Sequence, residues 1–178
     1  MSIADRVREC MDKYGSNDLD NALIQVCIAL DATSKNEYPS AKKVSERFKR
    51  FVRENLDVIT FFTLNGNIVR DRFQVGDLTF DNLIYKVLRC GLLHEAKVPQ
   101  LLKFVQPGES VTVSDKQWCL PTTFIMGTLL SVVGASSNGG QRLPGQYGVT
   151  VAGKQFSLND LWGHIEAVRA AIYAGRDV

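Results

Sequence analysis

Ile3, Val7 and Met11 recur at four-residue steps near the start of the chain, and the polar stretch "YGSND" then breaks the pattern. That step keeps apolar side chains on one side of a helix, so it predicts a short amphipathic helix from Ser2 to about Lys13. A second helix is predicted from Asp18, where Leu19, Leu23, Ile24, Cys27, Ile28 and Leu30 make a broad apolar face that "DATSKNEYP" closes. Ser40, after Pro39, offers an N-cap for a third helix with Val44, Phe48, Phe51 and Val52 as its inward stripe.

Residues 57–77, "DVITFFTLNGNIVRDRFQVGD", carry helix and strand signals together with an Asn-Gly turn, and read as an irregular connection. Asp77 or Thr79 can cap the next helix, where Phe80, Leu83, Ile84, Val87 and Leu88 keep core spacing until Pro99 limits it. Alternation in "VTVSDKQWCL" predicts a short hairpin at 111–120, and the apolar run from Pro121 to Ala135 predicts a central helix. "SSNGGQRLPGQYG" is a loop. "VTVAGKQFSL" predicts a second hairpin turning at Ala152-Gly153, after which Ser157 opens a last helix striped by Leu158, Leu161, Ile165, Val168 and Ile172, with Gly175 as its cap. The fold class expected is mainly α: a helical bundle of five to six helices with two small β-hairpin insertions, in one domain over residues 1–178.

Composition changes this picture little. With 178 residues and 45% hydrophobic residues the chain can bury a sizeable core. Twenty-one Lys and Arg against 19 Asp and Glu leave a net charge of +2, so affinity for nucleic acid has to come from a local patch. The third helix supplies one: Lys42, Lys43, Arg47, Lys49, Arg50 and Arg53 stand against Glu46 and Glu54. Its aromatics keep core spacing, so any contact from this helix is to phosphates and sensitive to salt. Cys10, Cys27, Cys90 and Cys119 form no CxxC pair, and "MSIADRVREC" lacks the apolar stretch of a secretory signal; reduced thiols in a cytoplasmic protein are expected. The run at 124–135 is too short to cross a bilayer, so no membrane partner is expected. Trp118 and Trp162 are assigned to packing, and "SSNGGQ" lacks the Lys-Ser/Thr of a phosphate-binding loop.

The segment with chemistry is "LIYKVLRCGLLHEAK", residues 83–97, which separates Arg89 from His94 by four residues within an apolar run. Imidazole can accept and return a proton near neutrality, and a guanidinium offers a planar fork of donors to phosphate oxygens. Five positions along an undistorted helix turn the chain through about 140° from the starting face, so the two meet one phosphate only at a bend, for which Gly91 is suited, or across a pair of subunits. With RNA as substrate, its own 2'-hydroxyl can serve as nucleophile, and neither metal nor cofactor is required.

"RCGLLH" resembles the Arg, four residues, His signature of the HEPN superfamily. The resemblance implies an all-α bundle that dimerises, a metal-independent endoribonuclease with Arg89 and His94 as catalytic pair at a dimer groove, and RNA ends carrying a 2',3'-cyclic phosphate. The alternative is a non-catalytic HEPN-like module that binds a protein or nucleic-acid partner, with the pair as a dimer contact. The residue after the arginine, polar in active members, is here Cys90, a weak donor, so the resemblance bears more on fold than on cleavage. Cys90 and His94 share a helix face as metal ligands would, but Glu95 and the distant Cys10, Cys27, Cys119 and His164 complete no recognised ligand spacing, so no metal is expected. A thiol nucleophile at Cys90 activated by His94 is the remaining enzymatic alternative.

Overall fold

The computed structural model describes residues 1–70, 74, 75, 78–86, 88, 102–107, 109, 112, 113 and 118–174. These are mainly helical. Helix α1 spans Ile3–Gly15 and starts at a capping box: the Asp5 backbone N–H donates to Ser2 Oγ at 3.1 Å and the Ser2 N–H to Asp5 Oδ2 at 2.8 Å. Helix α2, Leu19–Glu37, buries Leu23, Val26, Cys27 and Leu30 against Val7 and Cys10 of α1 and against later helices. Both ends agree closely with the periodicity of the sequence.

Helix α3, Val44–Glu54, begins later than Ser40 would place it. Pro39 and Ser40 are taken up by a turn in which the Ala41 N–H donates to the Tyr38 carbonyl, 3.1 Å, and Lys43 becomes the N-cap. The expected irregular connection at 57–77 is corrected twice. Asn55, at φ −115° and ψ 19°, ends α3 and starts helix α4, Leu56–Thr63, while its Nδ2 donates to the Phe51 carbonyl at 2.9 Å. Further on, strands β1 (Gln74–Val75) and β2 (Leu78–Thr79) pair antiparallel. Helix α5, Phe80–Ile84, continues as a wider π-type turn at Tyr85, Lys86 and Leu88, and Leu88 is fully buried.

Strands β3 (Leu102–Val105), β4 (Thr112–Val113) and β5 (Trp118–Pro121) form one sheet in the order β3-β5-β4. The expected hairpin at 111–120 is present as the antiparallel β4–β5 pair, but β5 also takes β3 as a parallel partner, from Leu102 opposite Trp118 to Val105 opposite Pro121. Helix α6, Thr123–Gly134, runs through the core with Phe124, Ile125, Leu129, Leu130, Val132 and Val133 buried on all sides. Its hydroxyls are satisfied within the helix, Thr128 donating to the Phe124 carbonyl and Ser131 to that of Gly127. Gly127 lets α4 approach: a Cβ there would stand 3.0 Å from the Ile59 carbonyl oxygen.

A 3₁₀ turn at Ser136–Asn138 leads to the hairpin β6 (Gly148–Val151) and β7 (Lys154–Ser157). Ala152 at φ 50° and Gly153 at φ 80° make the turn, the two positive values that match the twist of a two-residue hairpin. Ser157 does not open the last α-helix. It precedes a 3₁₀ turn at Leu158–Asp160, Gly163 at φ 76° interrupts any helical continuation, and helix α7 runs from Ile165 to Tyr173. Leu158, Leu161 and Trp162 are nevertheless buried, so the apolar pattern marked the core before the helix begins. Gly175, expected as the cap, lies outside the described residues.

Candidate functional site

The third helix of the sequence pattern, α3, holds most of the expected nucleic-acid contacts, and the structure divides them by residue type. Its arginines face carboxylates. The Arg50 Nε lies 2.7 Å from Glu54 Oε1, Arg53 Nε 3.8 Å from Asp81 Oδ2 on α5, and an Arg47 guanidinium nitrogen 4.0 Å from Asp31 Oδ1 on α2. Arg47 is the most enclosed of the three, its side chain 14% exposed, and its Nε is buried without a hydrogen-bond acceptor. Arg50 also stacks over the Tyr38 ring at 4.4 Å. Lys42 and Lys43 precede the helix and are exposed, while the Lys49 Nζ stands 5.1 Å from the centre of the Tyr85 ring. The six cations therefore do not form one continuous basic face.

What the fold does bring together is α3 and α5. Phe48 meets Tyr85 edge-on at 5.6 Å, and Lys49 and the Arg53–Asp81 pair flank that contact. Lys86, exposed beside Tyr85, adds a cation that the helical pattern alone did not single out, although it stands within residues 83–97. Buried Leu88 ends this described stretch. Arg89 and His94, and with them Cys90, Gly91 and Glu95, lie outside the described residues.

A second feature opens on the other side of Arg50. The end of α2, the α3–α4 junction, the end of α6 and the start of α7 enclose a cleft of about 590 Å³. One wall is fixed by two glycines: a Cβ on Gly134 would stand 2.7 Å from Ile165 Cδ1, and one on Gly163 would stand 2.7 Å from the Gly139 Cα. Glu37 accepts from the Ser137 N–H at 2.6 Å and from the Ser136 hydroxyl, tying α2 to the 3₁₀ turn. Tyr38 donates its hydroxyl to Glu54 Oε2 at 2.7 Å. Burial and then the Glu54 acceptor push the Tyr38 phenol well above its ordinary value. Burial draws Glu54 upward too, but the hydrogen bonds from Arg50 and Tyr38 outweigh it and hold the carboxyl below its usual range.

Arg169 of α7 anchors the opposite side. Its Nε donates to Asp57 Oδ2 at 2.9 Å, one terminal nitrogen to Glu166 at 2.8 Å, and the other to the Glu54 carbonyl at 2.7 Å. Tyr173 donates to the same Asp57 oxygen at 3.1 Å, and Arg70 covers the Tyr173 ring at 4.6 Å. His164 is exposed at the cleft, at the N-cap of α7. Sequence reasoning missed the cleft, since each of its carboxylates reads singly as surface.

Among the described residues no group of three or more His, Cys, Asp or Glu is placed to hold a metal ion, and no helix is long and apolar enough to cross a membrane. Cys10 and Cys27 are buried. Burial pushes the Cys10 thiol up to about 12 and, with the neighbouring Cys10 adding to it, raises Cys27 well above its ordinary value. Neither is poised as a nucleophile.

The sequence model of a family described as Rv1289 matches residues 2–177. "Uncharacterized protein Rv1289" of Mycobacterium tuberculosis and "Uncharacterized protein Mb1320" of Mycobacterium bovis are each 25% identical over 190 residues, covering 99% of this chain and 90% of their own. No solved structure matches.

Proposed function

This chain belongs to the Rv1289 family, and from that premise we propose that it is an RNA-binding, HEPN-like module whose contact face is built by α3 and α5. The observation that carries the reading is the packing of the cation-bearing helix on α5 through Phe48, Lys49 and Tyr85, since the sequence of α5 runs on to Arg89 and His94. Lys42, Lys43, Lys49 and Lys86 are the cations that meet phosphates without first leaving a carboxylate. Arg47, Arg50 and Arg53 hold the helix in place. The test is binding of a fluorescent single-stranded RNA followed against salt. Each phosphate contact that a Lys→Gln substitution removes lowers the slope of log affinity against log salt by about 0.7. A slope unchanged in the variant with all four lysines replaced would refute this face.

The chemistry of "RCGLLH" favours a second reading, scission of the bound strand. His94 would take the 2'-hydroxyl proton and return one to the leaving oxygen, while Arg89 stabilises the charge on the phosphate, in a homodimer that brings two such pairs to one groove. That form predicts cleavage in the presence of chelator, a 2',3'-cyclic phosphate product, loss of activity in a folded His94→Ala variant, and a dimer mass by light scattering. Intact RNA after prolonged incubation with homogeneous protein leaves binding alone.

A further inference from the structure

The cleft between α2, α3, α6 and α7 has a charge opposite to the lysine face. Its volume of about 590 Å³ falls in the range of small-molecule sites. Glu37, Glu54, Asp160 and Glu166 line it, against the single guanidinium of Arg169. That guanidinium is already held by Asp57, Glu166 and the Glu54 carbonyl, so it is fixed in the wall. Glu37 and Glu54 are oriented in the same way by Ser136, Ser137, Tyr38 and Arg50, which sets their oxygens in place before any ligand arrives.

A separate sign comes from Asn55 on the cleft lining. It is only 8% exposed, and its amide nitrogen is tied back to the Phe51 carbonyl at 2.9 Å. The amide oxygen, an acceptor, receives no hydrogen bond from any described residue and is left to the cleft. An acceptor so enclosed and without a donor costs roughly 1–3 kcal/mol, which a ligand N–H would recover. Acceptors at the lining, excess negative charge and the apolar surfaces of Phe51 and Ala135 ask for a ligand with a cationic N–H group and a short aliphatic body.

We infer that this cleft is a binding site for a small organic cation bearing a guanidinium or ammonium group. The ligand donates to Glu37, Glu54 and Asn55 Oδ1, and Asp160 and Glu166 at the rim add to the field that draws it in. Screening by salt follows, because the rim carboxylates are exposed.

The experiment is calorimetric titration of the full chain with agmatine and with spermidine, with glutamate as the anionic control. Agmatine or spermidine is expected to bind with a saturable heat and to raise the melting temperature, while glutamate does neither. Asp160→Asn and Glu37→Gln together should weaken binding at least about tenfold, in keeping with the loss of charge-assisted contacts. Glu37→Gln retains an acceptor for the Ser137 N–H. Should that pair fail to fold, Asp160→Asn alone, on an exposed turn, is expected to weaken binding about two- to fivefold. Absence of heat and of any melting shift with both cations at 10 mM (roughly the weakest binding worth about 3 kcal/mol) overturns the inference, as does binding that the folded variants leave unchanged. Neither result bears on RNA binding at the α3–α5 face, which is read separately by the salt slope.

Discussion

Replacing Arg169 with alanine removes three donated hydrogen bonds at once, and their surroundings set how much each is worth. The bond to Asp57 is the main one: the two side chains are 23% and 13% exposed, the separation is 2.9 Å, and a second nitrogen lies 3.4 Å from the other carboxylate oxygen. A charged hydrogen bond of this kind contributes about 1.5–3 kcal/mol. The bond to the Glu54 carbonyl, at the end of α3, adds about 1 kcal/mol. Glu166 is 79% exposed, so its share is a few tenths of a kcal/mol at most. The expected loss is about 3 kcal/mol, at the low end of what breaking a buried pair costs, because water reaches Arg169 and Tyr173 still donates to Asp57. For a chain of this length that is a fall of about 6–12 °C in melting temperature, read by circular dichroism and by urea midpoint at constant m-value. Asp57→Ala and the double variant close the cycle, with a coupling of about 1.5–2 kcal/mol expected. A loss under about 1 kcal/mol, or coupling near zero, would refute the argument and reduce the pair to an ordinary surface bridge.

Gly163→Ala should destabilise by about 2–4 kcal/mol in urea, since φ 76° is strained for alanine and the added Cβ would stand 2.7 Å from the Gly139 backbone. Gly15→Ala, where nothing lies within 4 Å, should change stability by less than about 1 kcal/mol, and equal losses at the two sites would defeat the packing argument. Cys10 and Cys27 keep their protons in the folded chain at pH values where an unfolded thiol, near 8.5, has lost its own. The unfolded state then binds fewer protons, so stability should fall as pH rises above about 8.5 toward the Cys10 value of about 12. Peptide mapping after alkylation at pH 8 should find both unmodified until denaturant is added; rapid labelling of either in the native chain contradicts the burial.

The helices that were easiest to read are those whose stripe is set locally. Val7, Leu23, Phe48, Phe51, Leu129 and Val168, all essentially buried, fall where 3.6-residue periodicity puts them. The break at Asn55 was not legible, because no Gly or Pro marks it. Its cause is a side-chain bond to the Phe51 carbonyl that competes with continued helix, a role open to many asparagines. The β3–β5 pairing was equally hidden: parallel partners meet across a long connection, and no turn residue announces them. At the last helix the apolar spacing of Leu158 and Leu161 was right about burial and misleading about conformation, since a single positive φ at Gly163 separates the two.

The charged residues of α3 show why a site is harder to read than a fold. Along the sequence Arg50 and Glu54 are visible as an i, i+4 pair, but Asp31 and Asp81, which meet Arg47 and Arg53, sit on neighbouring helices. A count of cations on α3 therefore overstates the charge it offers to a polyanion. Arginine occupies the positions that face carboxylates, where its planar fork holds two oxygens, and lysine the positions beside solvent or an aromatic ring. The consequence is an asymmetric helix. On the side of α5 it presents lysines, which meet phosphates as screened point charges and give affinity without sequence selectivity. About one residue further round, at Arg50 and Glu54, the same helix contributes to an acid-lined cleft. Ligands of opposite sign are thus expected on adjacent sides of α3, and a salt titration should weaken both while only the lysine substitutions separate one from the other.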